Sequence, residues 1–218
     1  MNKPKIIYFF DTLCGWCYGF SPVIKKIAEK YHNEFDFEVI SGGMVMGERV
    51  QPASVMADYI LKAYKSLENR TGVKFGEPFL DMLRDGTRIQ SSLEPALVMT
   101  TFKYYQPKNA IAFAHDLQKL NYVEGANLND FDSYKDLIES YDLDWQSFKK
   151  ELQTELIRKT TNSDFALSKA YQVSGFPTVF FENDTVRSAI SRGYQPFEQL
   201  DDIMQQVLEY QQREMAKR

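Results

Sequence analysis

The sequence predicts an α/β fold in which a β-α-β opening and a β-β-α close flank a long helical excursion. Three observations carry this expectation. β-branched and aromatic runs lie near the two ends, apolar residues between them recur at three- and four-residue spacing, and turn residues separate the runs.

Lys5 to Phe10 is a compact β-branched and aromatic run with the look of a strand buried on both faces. From Trp16 to Tyr31, residues Phe20, Val23, Ile24, Ile27, Ala28 and Tyr31 line one helical face, and Pro22 inside it is expected to kink the helix. Phe35 to Ile40 opens by alternating apolar and acidic residues and reads as a second strand, ended by Ser41-Gly42-Gly43. The loop that follows, with Met44 and Met46, reads as a connection, or as the lining of a groove.

From about Ala53 to about Val173 the helical period dominates. Val55, Met56, Tyr59, Ile60, Ala63 and Leu67 make one stripe, closed by Thr71-Gly72. Ser91-Ser92-Leu93-Glu94 offers a capping box for the run Ala96 to Tyr105, and Pro107 opens the next helix. Asp130 and Asp144 are the expected N-caps of two more. Tyr104, Tyr105 and Trp145 are expected in the core. After Ser174-Gly175, Thr178 to Phe181 and Val186 to Ile190 read as a hairpin turning at Asn183-Asp184. Phe197, Leu200, Ile203, Met204 and Val207 define a closing amphipathic helix, and the basic end Arg213 to Arg218 reads as a solvated terminus.

With 218 residues, 44% of them hydrophobic, the chain can bury a core without staples. A net charge of -4 and a charged fraction of 26% describe an ordinary acidic surface, which argues against nucleic-acid and membrane partners. The early apolar run ends at Asp11, too short for a signal-peptide core or a bilayer span, so the protein is expected to be cytoplasmic.

The two cysteines, Cys14 and Cys17, can build neither a disulfide framework nor a four-cysteine zinc site. His32 and His115 lack the short spacing of zinc-ligand histidines, so no metal is expected. What remains is a C-x-x-C pair at a strand-to-helix turn. A thiol reacts as thiolate, and the N-terminus of a helix favours that charge. Cys14, at the turn, is therefore the expected nucleophile, and Cys17, one turn deeper, the resolving thiol. Gly15-Trp16 adds no ionisable group between them, which leaves the helix terminus to supply most of the stabilisation. Trp16 reads as an apolar contact for substrate or as a cover for the motif. Asp11, three residues before Cys14, reads as a proton relay to Cys17 or, the commoner role, as a cap of the turn into the helix. Phe176-Pro177 precedes the late hairpin. By itself it is compatible with a trans entry to an edge strand, or with a cis bond whose preceding residue offers its backbone as a strand edge.

Asp11-Thr12-Leu13-Cys14-Gly15-Trp16-Cys17-Tyr18-Gly19, the helical middle and Gly175-Phe176-Pro177-Thr178 together resemble the DsbA-like branch of the thioredoxin superfamily. Within it they are most similar to the cytoplasmic predicted protein-disulfide isomerases, near the FrnE-type proteins. The resemblance spans nearly the whole chain. It implies an α/β thioredoxin-like fold with a large helical insertion, residues 1-50 plus 174-218 forming the thioredoxin-like domain and 51-173 the inserted helical domain. It implies a cis Pro177 facing the cysteine pair, with Phe176 and Pro177 belonging to the substrate-binding site. It also implies a thiol-disulfide oxidoreductase that reduces, forms or isomerises disulfides in protein or small-thiol substrates and is recharged by a redox-recycling partner. No cofactor beyond the cysteine pair is expected, with glutathione left open as a co-substrate. Two other readings stay open: a glutathione-dependent enzyme of the kappa-class transferase or 2-hydroxychromene-2-carboxylate isomerase type, and a non-catalytic, redox-responsive adaptor.

Overall fold

The computed structural model describes residues 3–216. The opening unit comprises strand β1 (Lys5–Phe10), helix α1 (Gly15–Tyr31) and strand β2 (Asp36–Ser41). After the exposed Lys5, β1 is apolar from Ile6 to Phe10 because both of its faces are covered: Ile6, Tyr8 and Phe10 enter one hydrophobic cluster, while Ile7 and Phe9 enter another on the opposite face. Helix α1 continues through Pro22. The ring removes the N–H that would have served the Tyr18 carbonyl, and the Ser21 hydroxyl donates to that oxygen instead, at 2.9 Å.

The excursion begins with β3 (Gln51–Pro52), α2 (Ser54–Thr71), α3 (Glu77–Asp85) and β4 (Ile89–Gln90), β3 and β4 forming a short antiparallel ladder. It continues through α4 (Leu93–Tyr105), α5 (Ala110–Tyr122), α6 (Lys135–Glu139), α7 (Trp145–Leu152) and α8 (Glu155–Ala170). Asp130 and Asp144 both cap as expected, accepting from Asp132 N and Ser147 N. Gly72 ends α2 in the left-handed conformation, at φ 82°. Neither α3 nor the β3–β4 ladder was legible from periodicity.

The chain closes with β5 (Thr178–Glu182), β6 (Arg187–Arg192) and α9 (Phe197–Ala216). Lys217 and Arg218 of the basic end lie outside the described residues. The main sheet has the order β2-β1-β5-β6, with β2 parallel to β1 and β5 and β6 antiparallel to their neighbours. β1 is thus central, and its carboxyl end delivers the chain directly to the cysteines.

The cluster on one face of β1 runs without a break into the excursion, through Phe20 to Phe102, Phe113 and Phe148. Phe102 and Phe113 stack with ring centroids 3.8 Å apart, which fastens α4 to α5. A buried ion pair ties α8 to α4 and the sheet. Lys103 Nζ lies 2.7 Å from Asp164 Oδ2 and also donates to Val39 O, and Ser41 N donates to the same carboxylate. Burial pushes the Asp164 carboxyl up, with Lys103 opposing. Trp145 is buried as expected. Tyr104 and Tyr105 are not core residues: they are 60% and 39% exposed at the last turn of α4, where the Tyr105 ring is covered on one side by Phe148 of α7.

Candidate functional site

The turn after β1 places Cys14 as the N-cap of α1, in extended conformation (φ -90°, ψ 109°). Its Sγ accepts from the Cys17 N–H at 3.4 Å, occupying the place that a serine or aspartate oxygen fills at other helix starts. The sulfur therefore sits among the unpaired N–H groups of the first turn, where negative charge is favoured. Cys14 retains 7% exposure, whereas Cys17 has none. Burial pushes the Cys17 thiol well up, its hydrogen bond with Cys14 and the Cys14 charge add to this, and the Asp11 N–H opposes. The shift favours the protonated form of Cys17 at neutral pH. Tyr8 and Tyr122, buried nearby, have hydroxyls pushed well up by burial and then by the thiol pair, so both stay neutral.

The Phe176-Pro177 bond is cis, as the resemblance implied. It brings the Phe176 carbonyl oxygen to 3.5 Å from Cys14 Sγ, so the thiol donates to a backbone acceptor at the entry to β5. The Phe176 ring lies against Gly42, where a Cβ would come within 2.0 Å of ring carbon Cζ, leaving glycine as the residue that fits. Trp16 lies 39% exposed beside the motif, its ring against Tyr194 and under the Arg70 guanidinium.

Asp11 caps the turn into the helix, its Oδ1 accepting from Leu13 N and its carbonyl from Cys14 N, and it does more than cap. Cys14 holds the N-cap position itself, and the Asp11 carboxylate accepts from Leu13 N (3.0 Å), Met44 N (2.7 Å) and Ser92 Oγ (2.8 Å). One fully buried carboxylate thereby joins the reactive turn, the loop after β2 and the start of α4. Burial raises its pKa, while these donors pull it back. Ser92 is committed to Asp11, and the Ser91–Glu94 pair of the expected capping box meets side chain to side chain: Ser91 Oγ accepts from Leu93 N and donates to the Glu94 carboxylate. Ser92 was not singled out in the sequence, where nothing distinguished it from Ser91. Gln118 was missed as well. It is fully buried in α5, and its amide meets the turn backbone, at Asp11 O in one orientation and at Cys17 O and Tyr18 N in the other. A buried glutamine leaves no periodic signature. The histidines serve elsewhere, His115 on Ser21 Oγ and His32 on Glu29 O.

Cys14 opens onto a cavity of about 770 Å³. One wall is the α2 stripe, and Met44, Val45, Phe75 and Tyr122 stand among the residues around it. The stripe read from the sequence is therefore split in role. Leu67 is buried, but Val55, Met56 and Tyr59 are 60%, 50% and 64% exposed and face this space.

A family model described as Thioredoxin matches residues 8–200. Among solved structures, a Nitrosomonas europaea protein assigned to the protein disulfide isomerases superposes with a TM-score of 0.82 at 22% identity, covering 96% of this chain and 99% of its own. The cytosolic disulfide reductase DsbM from Pseudomonas aeruginosa superposes with a TM-score of 0.74 at 23% identity, over 93% and 98% of the two chains. Among curated proteins, the ClpXP adapter protein SpxH of Bacillus subtilis (strain 168) is 25% identical over 185 residues, 84% of this chain. The chain spans 60% of the length of that relative. Among the described residues, no helix is long and apolar enough to cross a membrane.

Proposed function

The chain belongs to the thioredoxin family and has the fold of its DsbA-like branch, and from that premise we propose that it is a thiol-disulfide oxidoreductase working through Cys14 and Cys17. The observation that carries this reading is the position of Cys14 Sγ, held by the first turn of α1, facing the Phe176 carbonyl, with the fully buried Cys17 thiol directly behind it. The Cys14 thiolate attacks one sulfur of a substrate disulfide, that S–S bond breaks, and the leaving thiolate takes up a proton. Cys17 then gives up its proton and attacks Cys14 Sγ, expelling the second substrate thiol. The substrate gains two electrons and the protein is left with a Cys14–Cys17 disulfide. Asp11, buried, with a raised pKa and close enough for its charge to act on Cys17, is the proton acceptor in this scheme. Phe176 presents a backbone acceptor for an extended substrate, with Trp16 and Pro177 flanking it.

A cytoplasmic setting keeps dithiols reduced, so reduction or isomerisation is the working direction, with a reducing partner restoring the pair. Insulin reduction by the parent protein, Cys14→Ala and Cys17→Ala tests this reading. Turnover lost in both variants supports it. Turnover that survives loss of Cys17 but requires glutathione supports a glutathione-dependent enzyme instead.

The SpxH relatives favour a second reading, an adaptor that uses this fold to present another protein. It predicts partner binding that persists in both cysteine variants while the parent turns over no disulfide.

A further inference from the structure

Helix α2 carries one broad apolar stripe, only part of which its neighbours cover. Ala57 and Leu67 are buried in the cluster with α3, as an amphipathic helix requires. Val55, Met56 and Tyr59 lie outside that cluster and stand largely exposed on the wall of the Cys14 cavity. A contiguous apolar surface left open beside a nucleophile marks a binding site rather than a packing surface. The volume, about 770 Å³, lies in the range of small-molecule sites rather than of a shallow peptide groove.

The charge of the walls narrows the occupant. Glu48 and Arg49 are the charged residues that line the cavity, one of each sign, and Arg49 Nη1 already donates to Met44 O. A ligand bearing several carboxylates, such as glutathione disulfide, would find one cation there and lose hydration to an apolar wall. An uncharged ligand loses little.

We propose that this cavity is an acceptor site for an uncharged, apolar, low-molecular-weight disulfide, its organic groups held between the α2 stripe and the Met44 loop while one sulfur meets Cys14. The inference rests on the thiol-exchange reading above and names its substrate class. The Cys14 thiolate bonds to the near sulfur and the substrate S–S bond breaks. The departing thiolate carries away the electron pair and takes a proton from solvent. Cys17, deprotonated, displaces the second thiol, so the disulfide is reduced by two electrons and the cysteine pair oxidised by two.

The test is a single-turnover measurement on the pre-reduced protein with two reagents, uncharged dithiodipyridine and charged glutathione disulfide. Ala63→Trp fills the cavity, and Val55→Asp charges its rim at a position that is 60% exposed and tolerant of change. The rate with dithiodipyridine should saturate with concentration, and the ratio of the dithiodipyridine rate to the glutathione disulfide rate should fall about tenfold in each variant. An unchanged ratio in folded Val55→Asp overturns the proposal, whether or not Ala63→Trp folds. A linear, unsaturable rate overturns it too, as does an apolar peptide disulfide that outcompetes the small reagent by more than about tenfold, because that outcome assigns the cavity to polypeptide side chains. If the reduced protein reacts with none of these disulfides, the exchange reading itself fails.

Discussion

The Cys14 sulfur lies 3.5 Å from the carbonyl oxygen of Phe176, a contact that spans 162 positions of sequence. The nucleophile and the backbone acceptor that borders it are thereby set by two distant segments, and Gly42 supports the contact from below by leaving room for the Phe176 ring.

Gly42→Ala drives a Cβ into that ring. Overpacking of this kind costs about 1–3 kcal/mol. Urea unfolding should show the loss, and trapping of mixed disulfides through Cys14 in the Cys17→Ala background should slow alongside it. A variant with unchanged stability and unchanged trapping would show that Phe176 is not fixed by Gly42.

Burial and the Cys14 charge push the Cys17 thiol well up, so it stays protonated at neutral pH in the reduced protein. Iodoacetamide at neutral pH should modify one thiol per chain, and peptide mapping should find the label on Cys14. Labelling of Cys17 should require denaturant. Equal labelling of both in the native state contradicts the assigned roles.

Asp11 has a raised carboxyl pKa in the folded protein, so the folded state binds its proton more tightly than the unfolded chain does. Its contribution to stability is fully present below the ordinary carboxylate pKa and is lost as pH rises through the elevated one. Asp11→Asn removes this slope, and it also removes an acceptor from Met44 N, a loss of about 1–3 kcal/mol for a buried donor. Urea midpoints from about pH 4 to about pH 8 should fall less steeply in Asp11→Asn than in the parent. Matching slopes would place the titration on another group.

Lys103 is the counter-ion of a carboxylate whose side chain is 9% exposed. Lys103→Ala leaves Asp164 without it and should cost about 3–5 kcal/mol. The double variant Lys103→Met, Asp164→Leu should recover most of that loss. A chemical-denaturation cycle over the four proteins checks this, and additive losses would show that the pair is not coupled.

The strands, the long helices and the cysteine turn were legible because each follows a periodic or punctuated rule. Ile6 to Phe10 is apolar on both alternations, Gly72 stops α2, and Asp144 caps α7. The illegible parts depend on which surface a neighbour happens to cover. Tyr104 and Tyr105 have core-like chemistry but sit exposed at the last turn of α4, and the α2 stripe has helical spacing but faces a cavity. α3 is only nine residues long, too short for its period to stand out. The role of Asp11 was half visible. Its place before the cysteines marked it, whereas its partners Met44 and Ser92 lie 33 and 81 positions away, beyond the reach of any local rule.

That Asp11 clamp bears on how the chain can be rearranged. A graft that exchanged residues 51–173 for another helical segment would take away Ser92, and with it the hydroxyl that bonds both the carboxylate and the Val45 N–H. The transplanted helices would have to bring an equivalent hydroxyl to the same point, or the loop bordering Cys14 would keep its Met44–Asp11 bond and lose the one from Val45 to Ser92. Interchange of parts in this protein is therefore limited by a single buried hydroxyl, donor to Asp11 and acceptor from Val45, even where the connecting loops are permissive.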